Sequence, residues 1–368
     1  MSVSRPIALV FGRKWLLSRF WRSALQCWQQ QKARAIGLAV FLVVLVLLQL
    51  LVQLLLNLWN RNFFDAVGRK DAHSLWVQAQ LFIPLAAMSI VLASVSVWGR
   101  MTAQRRWREA LTRDVIAKWL ENDRFRHLDH LAKGSENPEY RIAFDIRMAT
   151  DAPIDFAVAL LSSVLTSITF FTVLWTIGGS IEFVLLGVKV FIPGYLMFGV
   201  ILYSLTVSGF MVLFGRHLTG VVERMNQAEA EFRSAIDAVG KENAKPEAAA
   251  DYSGERTLQL KLQAVLLWWR ETCSQLVRTT IVSHGNTLLA PVVGWLLCVP
   301  KYLSGAMSLG ELTQAAAAFV VLQGAFNWLV DNYQRVADWR ASAHRVATLL
   351  IAIDELEVKE RLESSRHK

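Results

Sequence analysis

Cysteine and charge are both scarce in this sequence of 368 residues. The three cysteines, Cys27, Cys273 and Cys298, are too few and too scattered for a disulfide framework or a thiolate metal site. Charged residues make up only 19% of the chain and hydrophobic residues 54%, whereas a soluble domain carries about 25% charged residues. This composition excludes a disulfide scaffold, a disordered chain and an ordinary cytosolic enzyme.

Motifs for catalysis are absent as well. No Gly-x-x-x-x-Gly-Lys-Ser/Thr string occurs, although a P-loop needs it to cradle the phosphates of a nucleotide. The sequence has no Ser/His/Asp arrangement. His127 and His130 with Asp129 could hold a metal on a helix face, but no further ligand lies nearby, and a solvated surface at the stalk tip is the favoured interpretation. We therefore expect no catalytic residue, no metal and no cofactor in this chain, and no enzymatic activity of its own.

Long uncharged runs are what the sequence has instead. Six windows are long enough to cross about 30 Å of hydrocarbon. The predicted spans are 35–56, 76–99, 156–178, 191–215, 279–300 and 312–333. The sequence thus predicts an all-α membrane protein with six transmembrane helices. We expect no removable signal peptide, so the first span stays as an anchor.

The net charge of +9 is distributed unevenly between alternate segments. The segment before the first span, the two long loops 100–155 and 216–278, and the segment after the sixth span hold 34 of the 39 Lys and Arg residues. Because basic segments stay on the cytoplasmic side, we expect both termini and both long loops in the cytoplasm. Charge that marks topology in this way argues against nucleic acid as a partner.

Three regions follow from this organisation. They are an amphipathic helical N-terminus at the cytoplasmic membrane face (1–34), a six-span domain (35–345) and a cytoplasmic C-terminal tail (346–368). The long loops continue their spans with good helix formers, so we expect helical stalks that project from the membrane. Gly, Pro and Ser mark the turns at the stalk tips, near Gly134–Pro138 and Lys245–Gly254.

A polar stripe follows one face of the first span. Gln49, Gln53 and Asn57 are spaced by four residues and therefore share one side of the helix. Such a stripe either lines a pore or joins two helices by hydrogen bonds. The sequence leaves both interpretations open.

Further polar residues lie in the last two spans. Asn286 in the fifth span and Asn327 in the sixth each need an interhelical partner or a water-filled cavity. Asp331 lies where the sixth span ends. It either pairs with Arg335, four residues further on, or serves as a gating or proton-carrying group.

Several short segments carry a more specific pattern. They are Arg105–Arg108 with Trp119–Leu120, Asn137–Ile146, Ile192–Leu196, Glu229–Arg233, Val330–Tyr333 and Ala337–Ala341. Together with the six spans and the stalks they resemble the transmembrane half of exporter-type ABC transporters. Within that group the chain is similar to the family that joins SbmA/BacA-type peptide transporters, their bacterial ABC relatives and the peroxisomal fatty-acyl half-transporters. The resemblance runs from about residue 35 to residue 350.

This resemblance implies which residues couple the membrane helices to a motor. The stalk and coupling candidates are Asn137, Pro138, Arg141, Asp145, Glu231, Phe232, Arg233 and Glu247. In the proton-driven branch of the family, carboxylates such as Glu229 are where proton coupling is placed. Together with the polar residues of the spans, this gives the pore or proton-path candidates Gln49, Gln53, Asn57, Glu229, Asn327 and Asp331. The chain departs from the family at Phe144, where an acidic residue is usual, and at Lys245–Pro246, which resembles an insertion.

The resemblance also implies a function. It implies a homodimeric permease of the bacterial inner membrane that moves peptides or lipid-like, long amphipathic molecules. Mg-ATP would be bound by a separate ATP-binding subunit. Two alternatives stay open: a stand-alone proton-driven peptide importer of the SbmA/BacA type, and a truncated remnant without transport activity.

Overall fold

The computed structural model describes residues 18–23, 32–125, 138–185, 188–243 and 252–366. Eight long helices account for most of these residues. They are α1 (Lys32–Arg69), α2 (Ala72–Leu120), α3 (Ile146–Gly178), α4 (Tyr195–Gly215), α5 (Leu218–Asn243), α6 (Tyr252–Leu303), α7 (Leu309–Asp331) and α8 (Tyr333–Arg366). Residues 18–23 are also helical, and α3 is preceded by one helical turn, Pro138–Tyr140, and a π-helical turn, Arg141–Asp145.

Within these residues, six helical segments are long and apolar enough to cross a membrane. The predicted number of spans and the all-α fold class are thereby confirmed. α2 continues without a break for 49 residues, a length of about 74 Å at 1.5 Å per residue. A helix of this length extends well beyond a bilayer, as expected for a stalk.

A small β-hairpin, which the sequence analysis does not predict, lies between α3 and α4. Strand β1 (Ser180–Leu185) pairs antiparallel with β2 (Val188–Pro193), with Ser180 opposite Pro193. The segment is rich in β-branched residues, which favour strands. α4 consequently begins at Tyr195, four residues after the predicted start of the fourth span. Gly194 makes the turn between β2 and α4 with a φ of 63°.

The chain divides into two compact units, the first formed by residues 1–169 and 332–368. Buried apolar side chains from the helical residues 18–23 and from α1, α2, α3 and α8 form its core. They include Phe20, Leu45, Leu111, Val115, Ile146, Ala149, Val346, Leu350 and Ile353. Within the predicted N-terminal helix, Phe20 contacts Trp107 of α2, with 6.1 Å between ring centroids. α8 crosses the predicted boundary at 345/346 as one continuous helix, and both sides of that boundary contribute to this core.

The second unit, residues 170–331, contains the hairpin and the helices α4 to α7. α7 is rich in alanine, and Ala315, Ala316 and Ala318 are buried. At Gly294 of α6 a Cβ atom would lie 3.2 Å from the Cα atom of Ala316. Small residues at this contact allow the backbones of α6 and α7 to approach closely, as is common between membrane helices.

Candidate functional site

A hydrogen-bonded polar cluster joins three apolar helices of the second unit. The Tyr203 hydroxyl of α4 donates to Asn286 Oδ1 of α6 at 3.0 Å. Gln323 Nε2 of α7 donates to the same oxygen at 3.0 Å. Of the two alternatives expected for Asn286, an interhelical partner or a water-filled cavity, the structure shows two interhelical partners.

Asn327 belongs to the same cluster. Its Oδ1 accepts a hydrogen bond from Ser208 Oγ of α4 at 3.4 Å, so Asn327 also has an interhelical partner. Asn327 and Gln323 are four residues apart on α7 and therefore face the same side of that helix. Both are largely buried, with 9% and 4% of their surface exposed.

These side chains line a cavity of about 280 Å3 between α4, α6 and α7. Its polar lining residues are Ser208, Ser283, Asn286, Thr287, Gln323 and Asn327. A volume of this size has room for several water molecules, and the amide and hydroxyl groups supply both donors and acceptors. The cavity is therefore a polar chamber within helices that are otherwise apolar.

An open groove of about 250 Å3 lies along α6, and most of its lining side chains are exposed. It is lined by Met211, Thr279, Thr280, Ser283, His284 and Thr287. His284 is an ionisable side chain inside the predicted fifth span, where such residues are costly and typically functional.

Sequence reasoning missed Tyr203, Ser208, Gln323 and His284. The spacing of polar residues held a signal for the last three. Gln323 precedes Asn327 by one turn, His284 follows Thr280 by one turn, and Ser208 follows Ser204 by one turn, so polar residues recur on one helix face within a predicted span. Tyr203 has no polar residue four positions before or after it.

The predicted polar stripe of the first span lies within the first unit. Gln49 Nε2 donates to the backbone oxygen of Leu92 in α2 at 3.3 Å. Gln53 is half-buried, and Asn57 is only 6% exposed. Gln49 therefore makes the helix–helix contact that was one of the two interpretations of this stripe. A pore-lining role for the stripe stays a prediction.

Asp145, a predicted coupling residue, forms a buried ion pair with α8. Its carboxylate is fully buried and accepts hydrogen bonds from Arg345 Nε at 2.8 Å and Arg345 Nη2 at 2.7 Å. Ser342 Oγ also accepts from Arg345 Nη2, at 3.1 Å. Arg141 is half-buried one turn before Asp145, at the start of the π-helical turn. The ion pair connects the π-helical turn to α8. The coupling roles of Asp145 and Arg141 stay predictions.

Two further ion pairs in the first unit hold α8. Arg124, after the end of α2, donates to both carboxylate oxygens of Glu360 at 2.9 and 2.7 Å, and Glu360 raises the pKa of its guanidinium. Arg19 donates to both oxygens of Asp354 at 2.6 and 2.8 Å. The segment predicted as a C-terminal tail is thus attached to the first unit by charge-assisted hydrogen bonds, the stronger kind.

The carboxylates of α5 lie on a solvated helical pair in the second unit. Glu231 accepts from Lys261 Nζ of α6 at 2.8 Å and from Gln227 at 3.2 Å. Glu229 and Phe232 are half-buried, and Arg233 is exposed. An exposed ion pair of this kind contributes little to stability. The predicted coupling and proton roles of these residues stay predictions.

Some predicted residues lie outside the described part of the chain. Asn137 and Glu247 do, as do His127 and His130. Pro138 and Asp331 are described by their backbones, as the first residue of a helical turn and the last residue of α7. Arg335, the predicted partner of Asp331, pairs with Asp155 at 3.4 Å and donates to Asn332 at 3.3 Å.

Comparison with known proteins assigns the chain to a family. Residues 27–303 match the family described as ABC transporter transmembrane region 2. The inner membrane ABC transporter ATP-binding protein YddA of Escherichia coli (strain K12) is 25% identical over 338 residues, which cover 90% of this chain and 58% of the relative. ABC transporter D family member 2, chloroplastic, of Arabidopsis thaliana is 24% identical over 343 residues, covering 90% and 45% respectively.

The chain spans about half the length of these curated relatives. The match covers well over half of this chain, and the region it matches is not itself catalytic. The six apolar helices agree with it. The chain therefore belongs to the ABC transporter transmembrane region 2 family and is a multi-pass membrane protein.

Proposed function

We propose that the chain is the permease part of an ABC-type transporter that moves peptides or long amphipathic molecules across a bacterial inner membrane. The observation that carries the proposal is the polar chamber around Asn286, Gln323 and Asn327. Polar side chains between apolar spans cost free energy, so those that occur there typically serve a function. Lining a transport path is one such function.

The chemistry of the chamber suits the proposed cargo. Its amides and hydroxyls can exchange hydrogen bonds with the amide groups of a peptide, because each such side chain can donate and accept. The surrounding apolar helices suit the hydrophobic parts of an amphipathic molecule. The resemblance to SbmA/BacA-type peptide transporters and fatty-acyl half-transporters supports the same cargo classes.

The energy source in this proposal is ATP bound by a separate chain or domain. The Escherichia coli relative is named an ABC transporter ATP-binding protein, and it is longer than this chain. ATP-driven closure of two nucleotide-binding domains would act on the stalks of a homodimer, with termini and stalk tips in the cytoplasm. Rigid-body movement of the spans would then alternate the access of the chamber.

Uptake into inside-out membrane vesicles tests the proposal. Vesicles from cells that express the chain with its ATP-binding partner are given fluorescent peptides, and vesicles without the chain serve as the control. Accumulation that requires the chain and hydrolysable ATP, and that survives a protonophore, supports the proposal. Inside-out vesicles preloaded with the same peptides report movement in the import direction, and chain-dependent release that collapses with the protonophore and ignores ATP contradicts the proposal in favour of a proton-driven importer. Absence of both chain-dependent accumulation and chain-dependent release, for peptides and for acyl amphiphiles, contradicts transport itself.

A further inference from the structure

An apolar groove of about 230 Å3 lies between α1, α2 and α3 in the first unit. It is separate from the polar chamber of the second unit. Its aliphatic lining residues include Leu38, Leu42 and Val46 of α1 and Ile154, Val158 and Leu161 of α3. The residues on α1 are spaced by four and so form one continuous stripe along the helix.

Two arginines, Arg34 of α1 and Arg106 of α2, line the same groove. α1 and α2 form an antiparallel pair in which Gly99 lies against Leu42. Arg34 precedes Leu42 by about 12 Å along α1, and Arg106 follows Gly99 by about 10 Å along α2. Both guanidinium groups therefore belong to the same end of the groove, at nearly the same level.

That end of the groove carries positive charge that no carboxylate in the described part of the chain pairs with. Within the described residues, neither Arg34 nor Arg106 forms an ion pair, and both side chains are exposed. The nearby Arg100, by contrast, pairs with Asp155 at 3.5 Å. Arg34 also lies immediately before the first predicted span, which begins at residue 35. By the second predicted span, which ends at residue 99, Arg106 lies about 10 Å beyond the hydrocarbon. The charged end thus lies on the head-group side of the expected membrane edge, and the aliphatic stripe runs from it toward the hydrocarbon.

We propose that this groove binds an anionic phospholipid of the surrounding bilayer, with its phosphate between Arg34 and Arg106 and an acyl chain along the aliphatic stripe. From Arg34 to Val46 the helix rises about 18 Å, close to the roughly 15 Å of hydrocarbon in one leaflet. Guanidinium groups match the geometry of phosphate oxygens. Basic pockets between membrane helices are known to select anionic head groups.

Lipid retention by the purified full chain tests this site. The chain is exchanged into detergent with equal amounts of phosphatidylglycerol and phosphatidylcholine, and bound lipid is counted by native mass spectrometry. We expect the wild type to retain phosphatidylglycerol in preference. One basic residue near an anionic lipid contributes about fivefold in affinity. The double variant Arg34→Gln/Arg106→Gln should therefore weaken phosphatidylglycerol binding by about 25-fold.

A matched control separates the site from general charge. Arg105→Gln/Arg108→Gln removes the same charge from exposed positions on α2 that do not line the groove. It should keep the preference for phosphatidylglycerol. Equal retention of both lipids by the wild type, or equal loss of preference in the two double variants, would overturn the proposal.

A second variant tests the acyl part without a change of charge. Ala157 lines the groove and is exposed, so Ala157→Phe fills the groove with little strain elsewhere. It should reduce retention of both lipids severalfold while Arg34 and Arg106 are intact. Unchanged retention in Ala157→Phe would show that the bound lipid lies elsewhere. Occupation of the groove by another segment of the chain would overturn the proposal in the same way.

Discussion

The ion pair between Asp145 and Arg345 gives the sharpest prediction about stability. The carboxylate is fully buried, whereas 35% of the Arg345 side chain remains exposed. Removal of Arg345 therefore leaves a buried charge without its main partner, and removal of the carboxylate leaves a charge that water still reaches. The two single substitutions should have unequal effects, and this inequality follows directly from the burial of each side chain.

Arg345→Met should lower the free energy of unfolding by about 3–5 kcal/mol, the usual effect of breaking a buried pair. Asp145→Asn keeps the shape of the carboxylate and should lower it by only about 1–3 kcal/mol, the range for losing charge-assisted hydrogen bonds. The double variant no longer holds a buried charge. Asp145→Asn should therefore restore about 2 kcal/mol when it is added to Arg345→Met.

Denaturant unfolding of the purified full chain in mixed micelles, followed by circular dichroism, measures these differences. Arg340→Met is the matched control, because Arg340 is an exposed arginine on the same helix. It should change the free energy of unfolding by no more than about 0.5 kcal/mol. If the effects of Asp145→Asn and Arg345→Met simply add in the double variant, the assignment of a buried, mutually compensating pair is refuted.

Two further substitutions test backbone and capping features. A Cβ atom at Gly194 would lie 2.5 Å from the Trp175 ring at a φ of 63°, so Gly194→Ala should lower the melting temperature through about 1–3 kcal/mol of strain; Gly209→Ala, which has open space around it, should not lower it. Hydrogen bonds from the hydroxyl and backbone of Ser74 lower the pKa of Asp71, the residue that caps α2. The charged carboxylate of Asp71 therefore stabilises the fold at pH values above the pKa that it has in the unfolded chain. This stabilisation is lost as the pH falls through the pKa that it has in the folded protein. Asp71→Ala should accordingly melt below wild type at pH 7, with a gap that narrows at pH 3; a constant gap would contradict the capping role of the carboxylate.

The features that could be predicted are those that the bilayer itself imposes. Six uncharged windows predict six spans, because a helix that crosses the hydrocarbon needs about 20 consecutive residues that are mostly apolar. Asn286 and Asn327 needed an interhelical partner or a water-filled cavity, because a polar side chain is costly inside a span. Both expectations depend on local sequence alone; the structure confirms the six spans and shows interhelical partners for both residues.

The features that could not be predicted depend on contacts between distant residues. Asp145 and Arg345 are 200 positions apart, and no local pattern shows that they meet. Tyr203 and Gln323 converge on one oxygen of Asn286 only because α4, α6 and α7 come together. The β-hairpin was also missed, since an apolar run of β-branched residues beside a span is consistent with either strand or helix.

The most direct test of the transport account is the effect of Asn286→Leu on cargo movement in inside-out vesicles. This substitution removes the acceptor shared by Tyr203 and Gln323 and makes the polar chamber more apolar. Thr206→Val is the matched control, because the hydroxyl of Thr206 is exposed and bonds within its own helix to the backbone of Leu202. At equal chain levels we predict that Asn286→Leu slows chain-dependent uptake at least about tenfold, the equivalent of about 1.4 kcal/mol, and that Thr206→Val leaves it unchanged. Wild-type uptake by Asn286→Leu would contradict the assignment of this chamber to the transport path.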